Sequence, residues 1–218
     1  YQLGIDPLEL RLRNYSETDP SSGKPFTSKA LKECYIQAAE KFGWNQRKPQ
    51  PGSMMRDNKL VGYGMATGIW DAYQFPSRVE AIITGEGKLI MHNAVTDIGT
   101  GTFTVMTQIA ADEMGLPIDD VTFDYGDSKK PFSMFQGGSA MTASTGVAIV
   151  MAAKALKKKL LEKAKCMKDS PLREASEHDV MFQNSNIHLK NNPAVFISFK
   201  SIIEFNKGRV IKTINLGK

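Results

Sequence analysis

The spacing of apolar residues changes near residue 59, and this change divides the chain into two differently built parts. Upstream, residues 31–42 carry apolar side chains at intervals of three and four, which predicts a helix that ends at Gly43. Downstream, Val79, Ala81 and Ile83 fall on one face of the segment 78–84, which predicts a strand. We therefore predict an α+β fold, with a mixed or antiparallel sheet backed by helices and an N-terminal helical arm.

The predicted arm spans residues 1–44, where Asp6 can cap a first helix that opens with Pro7. Residues 45–58 are rich in proline, glycine and charge, and this composition predicts a linker. Residues 59–218 form the predicted αβ unit. Because the chain starts without Met inside a helical phrase, we interpret it as a piece of a longer polypeptide whose αβ unit is partial at its C-terminal end.

The αβ unit is predicted to combine a hairpin with two helices that back its sheet. The hairpin joins 78–84 to 89–95, and the helices span 102–114 and 139–165, with Gly115 as a C-cap after the first. The other predicted elements are a glycine-rich strand over Leu60–Ile69, a short strand within 118–125, strand-like runs at 180–182, 187–189 and 210–214, and a helix at about 198–205.

Composition excludes several classes of protein. With 41% hydrophobic and 23% charged residues, the chain has an ordinary globular composition. No run approaches the roughly 18–20 apolar residues of a membrane helix, so no membrane partner is predicted. The two cysteines, Cys34 and Cys166, provide no disulfide framework. A reducing compartment is therefore expected, which favours the cytoplasm, with the periplasm as the alternative.

Positive charge is concentrated in the C-terminal third, mainly in seven lysines between 154 and 168. They surround apolar residues at helical spacing, which favours a solvated helix face. No aromatic residues interleave with these lysines to stack on bases, so no nucleic-acid partner is predicted. An interaction module that uses this helix is kept as an alternative function.

The segment Asp97–Thr104 is the first candidate site, because it joins a predicted strand to a predicted helix. Glycines at Gly99 and Gly101 allow a ligand to approach the backbone, and the free amides of the following helix would face that ligand. Thr100 and Thr102 add hydroxyl groups. The alternative is a tight turn whose hydroxyls only cap the helix.

The segment Gln136–Gly146 is the second candidate site. It places Gly138 at a helix start and adds hydroxyls from Ser139, Thr142, Ser144 and Thr145 within two turns. Hydroxyls weaken a helix start, so a ligand with phosphate oxygens would explain them. The alternative is close packing of small residues in a buried helix. If both sites are real, the two helix starts are expected to converge on one pocket.

Other chemistries have weaker support in the sequence. The pattern from Gly99 to Thr104, with Asp124 at the spacing of a ribose-binding acid, keeps a nicotinamide-dinucleotide domain as an alternative. Against it, Thr104 replaces the third glycine or alanine, and the preceding strand is expected to pair in an antiparallel hairpin rather than to begin a parallel unit. The histidines, His92, His178 and His188, are isolated, so we assign no catalytic and no metal-binding residue.

The order of four motifs resembles a known family. Asp6–Asn14, Gly62–Ala66, Asp97–Gly101 with Thr107–Ala110, and Gly137–Ser139 occur in this order in the molybdopterin-binding large subunit of the xanthine dehydrogenase/aldehyde oxidase family. The chain looks most like bacterial aldehyde oxidoreductases, and the resemblance covers most of residues 1–165.

The resemblance implies a molybdenum hydroxylase that oxidises aldehydes or N-heterocycles. Its molybdenum is held by a pyranopterin, often as a cytosine dinucleotide, and electrons leave through iron–sulfur and FAD subunits. By position, Gly99, Thr100 and Gly101 match the loop that touches the pterin in this family. Ser139, Thr142 and Ser144 match the segment that holds cofactor phosphate.

The resemblance also implies which parts lie outside this chain. The family's general base is a glutamate in a Gly-x-Gly-Glu phrase, and this phrase does not occur in the sequence. The rest of the large subunit is therefore an expected partner. We predict that these 218 residues alone neither retain the cofactor tightly nor turn over substrate.

Overall fold

A computed structural model describes residues 3–26, 28–70 and 73–217 of the protein, with side chains up to residue 214. The chain divides into two compact units, Tyr1–Ile69 and Trp70–Lys218. The glycine-rich segment 59–69, which the sequence analysis assigned to the αβ unit, lies in the first of these units.

The first unit contains helices α1 (Pro7–Arg13) and α2 (Leu31–Phe42) and a small antiparallel pair, β1 (Met55–Arg56) and β2 (Lys59–Leu60). As predicted, Asp6 caps α1 by accepting a 2.8 Å hydrogen bond from the Leu8 amide. Its carboxylate also accepts from the Trp44 indole N–H at 3.1 Å. Among the described residues of this unit, only Ala39 and Trp44 are buried.

The predicted strand over Leu60–Ile69 is wrong beyond its first residue. Strand β2 ends at Leu60, and residues 61–69 have no regular structure. The glycines at 62, 64 and 68 have nothing within 4 Å of their Cβ positions. The alternate residues Val61, Tyr63 and Met65 are half-buried, and the Tyr63 ring packs against Phe42 of α2 with 4.8 Å between ring centroids. The apolar side of this segment thus contacts a helix without sheet pairing.

The second unit is built on a mixed sheet with the strand order β5–β4–β3–β9 in the described chain. Its strands are β3 (Ser77–Ile83), β4 (Leu89–His92), β5 (Val121–Asp124) and β9 (Ile211–Gly217). The predicted hairpin is confirmed, since β3 and β4 are antiparallel neighbours. Strand β4 is also parallel to β5, however, so the expectation that it begins no parallel unit is wrong.

Two helices, α3 (Thr102–Met114) and α4 (Met141–Lys165), back this sheet as predicted. They cover the face on which Val79, Ala81 and Ile83 are fully buried. The two helices approach closely at Gly146, where an added Cβ would lie 3.1 Å from Cδ1 of Ile109. The small residues of α4 thus serve packing, which is one of the two readings left open by the sequence.

A second sheet has the order β6–β7–β8, formed by Val180–Gln183, Asn186–Leu189 and Asn192–Ser198, and helix α5 (Phe199–Phe205) follows it. Strands β6, β7 and β9 and helix α5 correspond to predicted segments. Strand β8 was not predicted, because it contains Pro193 and its first residues are exposed. The α+β class is confirmed. In the described residues, no helix combines the length and apolarity that a membrane span requires.

The lysines of α4 are partly engaged inside the second unit. Lys157 Nζ donates to the Glu113 carboxylate at 2.6 Å, and Lys165 Nζ donates to the Ala175 carbonyl at 2.9 Å. Lys159 Nζ reaches the Lys212 carbonyl at 2.8 Å. Three of the seven lysines thus stabilise the second unit by intramolecular contacts, and the interaction-module alternative stays a prediction.

Candidate functional site

The starts of α3 and α4 open onto one cleft of about 460 Å³. The described residues that line it are all uncharged and comprise Trp70, Ile98, Thr100, Thr102, Val105 and residues 136–142. Trp70 and Ile98 present large apolar surfaces there, with 74% and 67% of their areas exposed. The cleft therefore combines an apolar mouth with hydroxyl, amide and backbone groups.

Most of the predicted site residues meet in this cleft. Thr100 and Thr102 line one side, and Gly138, Ser139 and Thr142 line the other. Gly99 and Gly101 form the turn that leads into α3, both with left-handed backbones at φ 97° and 76°. Nothing lies within 4 Å of their Cβ positions.

The start of α3 is closed by the protein's own carboxylate. Asp97 Oδ1 accepts hydrogen bonds from the amides of Gly99 at 2.9 Å and Thr100 at 3.0 Å, and Oδ2 lies 3.5 Å from the Phe103 amide. Burial opposes ionisation of Asp97, but these donated hydrogen bonds outweigh it and hold its pKa below the usual value. Asp97 therefore occupies the amides of the turn itself, and its contact with the first turn of α3 is the longer one to Phe103. The expectation of free helix amides stays a prediction, because Gly101, the N-cap of α3, makes no side-chain cap.

The start of α4 has no carboxylate comparable to Asp97: among the described residues, no side chain caps its first amides. Its N-cap residue is Ala140, which has no hydrogen-bonding side chain. Ser139, immediately before it, has a left-handed backbone with φ 51°, an unfavourable conformation for a residue with a Cβ. The side chains of Ser139 and Thr142 are exposed. This end of α4 thus presents backbone N–H groups and hydroxyls to the cleft.

Ser144 lies outside the cleft and is only 1% exposed. Its hydroxyl donates to the Ala140 carbonyl at 2.7 Å and accepts from the Phe75 amide at 2.9 Å. The hydroxyl of its neighbour Thr145 is 3.2 Å from that of Ser77. These two hydroxyls of the motif therefore join α4 to the segment that enters β3, which is a structural role.

Gln136 connects the two sides of the cleft, and sequence reasoning did not single it out. Its Nε2 donates to the Thr102 hydroxyl at 3.2 Å and lies 3.5 Å from the Thr100 hydroxyl. Its Oε1 is buried without a hydrogen-bond partner. The available signal was its place as the first polar residue of the Gln136–Gly146 motif.

His92 is paired rather than isolated, contrary to the sequence analysis. It lies opposite Asp124 in the parallel β4–β5 pair, and its Nδ1 is 2.9 Å from Asp124 Oδ2. Lys130 Nζ bonds the other carboxylate oxygen, and this contact is the main reason why the pKa of Asp124 lies below its usual value. Neither His92 nor Asp124 lines the cleft. No cluster suited to a metal ion occurs among the residues that the structure describes.

Comparison with known structures supports the fold. The chain superimposes on CO dehydrogenase from Oligotropha carboxidovorans with a TM-score of 0.71 and 21% identity, covering 99% of this chain and 30% of that one. For the aldehyde oxidoreductase from Desulfovibrio desulfuricans, the TM-score is 0.59 at 19% identity, with 99% and 21% covered. At these identities the likeness shows the fold alone.

Curated relatives are more similar in sequence. The chain is 37% identical over 147 residues to the aldehyde oxidoreductase molybdenum-binding subunit PaoC of Escherichia coli K12, covering 66% of this chain and 20% of that protein. It is 28% identical over 174 residues to the xanthine dehydrogenase molybdenum-binding subunit of E. coli O157:H7, covering 76% and 23%. The chain thus spans about a fifth of the length of these relatives.

The match to a family model covers most of the chain and includes every described residue of the cleft. Residues 37–215 match the model described as the molybdopterin cofactor-binding domain. This range contains Thr100, Thr102 and the complete start of α4. The resemblance inferred from the four motifs is confirmed, and the chain belongs to the molybdopterin cofactor-binding domain family.

Proposed function

We propose that the cleft between the starts of α3 and α4 is one wall of a molybdopterin site in a molybdenum-dependent oxidoreductase of aldehydes or N-heterocycles. The observation that carries this proposal is the convergence of the two glycine- and hydroxyl-containing turns on a single cleft whose described lining residues are uncharged. Family membership supports it, because the matched model covers both turns.

The residues of the cleft fit such a group. A pterin is a flat heterocycle with hydrogen-bond donors and acceptors at its edge, and the cofactor also carries phosphate. The cleft offers hydroxyls at Thr100 and Thr102, an unpartnered amide oxygen at Gln136 and an exposed apolar surface at Trp70. Its volume of about 460 Å³ lies within the usual range of small-molecule sites.

The two helix starts favour different ends of this ligand. Asp97 places a negative charge at the start of α3, which repels phosphate and leaves the Thr100 and Thr102 hydroxyls for the heterocycle. The uncapped start of α4 offers backbone N–H groups and the positive end of the helix dipole, together with the Ser139 and Thr142 hydroxyls. We therefore place the phosphate at α4 and the pterin toward Thr100.

When bound, the molybdenum centre supplies the oxidising chemistry, and the residues of this chain bind and orient the cofactor. We assign no catalytic residue to the chain and propose that the rest of the large subunit contributes the general base. The cytosine dinucleotide form and the iron–sulfur and FAD subunits are part of the same proposal. Two curated relatives support the subunit arrangement, since they are named molybdenum-binding subunits.

NMR titration of the ¹⁵N-labelled chain tests the assignment. We expect 6-hydroxymethylpterin to shift the amides of Thr100, Thr102 and residues 136–140, and pyrophosphate to shift those of 141–143. Thr142→Val should weaken pyrophosphate binding while pterin binding is retained.

NAD⁺ is the competing ligand, because β4, α3 and β5 form the parallel crossover that a nicotinamide-dinucleotide domain would use. Tight binding of NAD⁺ without binding of the pterin would replace this proposal.

A further inference from the structure

We infer that Gln136 binds the heterocyclic part of the ligand rather than its phosphate, by accepting a hydrogen bond from a ring N–H or amino group at its Oε1. The inference rests on the proposed function and deepens it. Neither the family match nor the names of the relatives assign a role to this residue.

The hydrogen-bond partners of the Gln136 amide support this inference. The Nε2 end is satisfied, because it donates to the Thr102 hydroxyl at 3.2 Å. The Oε1 end is the one buried side-chain nitrogen or oxygen without a partner in the part of the chain that the structure describes. A buried acceptor without a donor destabilises the free protein, so native structures keep very few of them. A donor on a bound ligand would remove this penalty.

The position of Gln136 places this oxygen at the junction of the two walls. Its backbone belongs to the loop before α4, while its amide reaches the hydroxyl pair of Thr100 and Thr102, which are 3.2 Å apart. All three residues line the same cleft. A heterocycle that enters between the walls therefore contacts the exposed Thr100 and the half-buried Gln136, whose buried Oε1 it would have to uncover to form the hydrogen bond.

The chemistry predicts discrimination between two parts of the cofactor. The 2-amino-4-oxo edge of a pterin carries N–H donors, whereas pyrophosphate has acceptors only at neutral pH. Loss of Oε1 should therefore weaken pterin binding and leave pyrophosphate binding unchanged. A purely structural bridge between the walls predicts that both ligands weaken together.

The test compares wild type with Gln136→Met and Gln136→Glu in the complete 218-residue chain, using NMR-derived dissociation constants for 6-hydroxymethylpterin and pyrophosphate. Gln136→Met should raise the dissociation constant for 6-hydroxymethylpterin by about fivefold to tenfold, as expected for one lost hydrogen bond. It should change the dissociation constant for pyrophosphate by less than about twofold. Gln136→Glu retains an acceptor and should keep pterin binding. The unfolding midpoint of the free Met variant should equal or exceed that of wild type, because the unpartnered oxygen is gone.

Three results would overturn the inference: unchanged pterin affinity in Gln136→Met, equal weakening of both ligands, or loss of pterin binding in Gln136→Glu. If Gln136→Met does not fold, Gln136→Leu takes its place, and failure of both to fold identifies Gln136 as a structural bridge. A wild-type chain in which neither ligand shifts any amide of the cleft overturns the proposed function as well, because NMR titration detects the weak binding expected of one wall. A wild-type chain that binds pterin, with an unaffected Met variant, overturns only the role of Gln136.

Discussion

The starts of α3 and α4 have similar sequences but opposite electrostatic character. Both follow glycine pairs and both carry hydroxyl residues, yet Asp97 accepts hydrogen bonds from the amides before α3, whereas Ala140 leaves α4 without a side-chain cap. A carboxylate two residues before the first glycine makes this difference. Glycines and hydroxyls at a helix start therefore do not identify an anion site until the cap is known.

The other ends of the helices extend this contrast. Helix α3 ends at Gly115, whose left-handed backbone lets its amide reach the Asp112 carbonyl at 3.2 Å, while its own carbonyl accepts from Asn184 at 2.7 Å. Both termini of α3 are thus fixed by neighbouring groups. We regard α3 as a framework element and the start of α4 as the part of the cleft that is free to bind phosphate.

Gly115→Ala should have the largest effect, because it attacks the fixed end of α3. An added Cβ would lie 1.9 Å from the Phe182 carbonyl oxygen, and alanine resists the φ of 65°. We expect the free energy of unfolding to fall by more than about 2 kcal/mol, since left-handed strain alone costs about 1–2 kcal/mol. Thermal or urea unfolding measures this loss.

Gly101→Ala is the matched control, because Gly101 has φ 76° and open space around its Cβ position. Its free energy of unfolding should fall only by the cost of the left-handed backbone. Equal losses in both variants would show that the contact with Phe182 is unimportant.

Ser144→Ala tests the buried hydroxyl of the α4 motif. It leaves the partly buried Phe75 amide without its acceptor, so we expect a loss of about 1 kcal/mol, the lower end of the cost of an unsatisfied buried donor. Chemical denaturation should show this loss, while the pyrophosphate constant of the folded variant should stay the same. Thr104→Ala, at an exposed position in the first turn of α3, should change stability by less than about 0.5 kcal/mol. Lost pyrophosphate binding in folded Ser144→Ala would place this hydroxyl in the site instead.

Asp97→Ala should make the start of α3 resemble that of α4. It frees the amides of Gly99 and Thr100, so we expect a lower unfolding midpoint together with stronger pyrophosphate binding near α3. The pKa of Asp97 is lower in the folded protein than in the unfolded chain, where it is about 3.9. Ionised Asp97 therefore stabilises the fold above that pH, and this stabilisation is lost as the pH falls through the pKa of the folded protein. The stability difference between wild type and Asp97→Ala should therefore shrink below about pH 4. A difference that is constant with pH would contradict this capping role.

Ser139→Gly should have the smallest effect on stability. Unlike the other three substitutions, it should stabilise the protein. Glycine relieves the left-handed backbone at φ 51° but loses more entropy on folding, so we expect a net gain of up to about 1 kcal/mol. The same change removes a hydroxyl from the start of α4 and should weaken pyrophosphate binding by about twofold to fivefold. Pyrophosphate binding equal to wild type would exclude this hydroxyl from the site.

Local sequence was sufficient wherever an element depends on near neighbours. The predicted bounds of α3, 102–114, agree with the structure, and Gly115 ends it as expected, because helix periodicity and a C-cap are local signals. The β3–β4 hairpin was found for the same reason. The hydrogen bonds of Asp97 are also local, since their donors lie two and three residues along the chain, and they could be predicted from the sequence. The glycines instead led to the prediction of a ligand at this turn.

Contacts between distant residues could not be predicted in this way. The parallel pairing of β4 with β5 and the pairing of His92 with Asp124 depend on how α3 crosses the sheet. The Phe75 amide meets the Ser144 hydroxyl across 69 residues, and the Gln136 amide meets Thr102 across 34. These pairs leave no mark on hydrophobic periodicity.

The amino-acid sequence by itself determined the class of the fold, most helix and strand positions and the family, because periodicity, caps and ordered motifs are encoded along the chain. Only the tertiary structure decided which polar groups of the two turns remain available to a ligand. Hydrogen-bond partners come from residues that are distant in sequence, so a hydroxyl group is buried and bonded at Ser144 but exposed at Thr142.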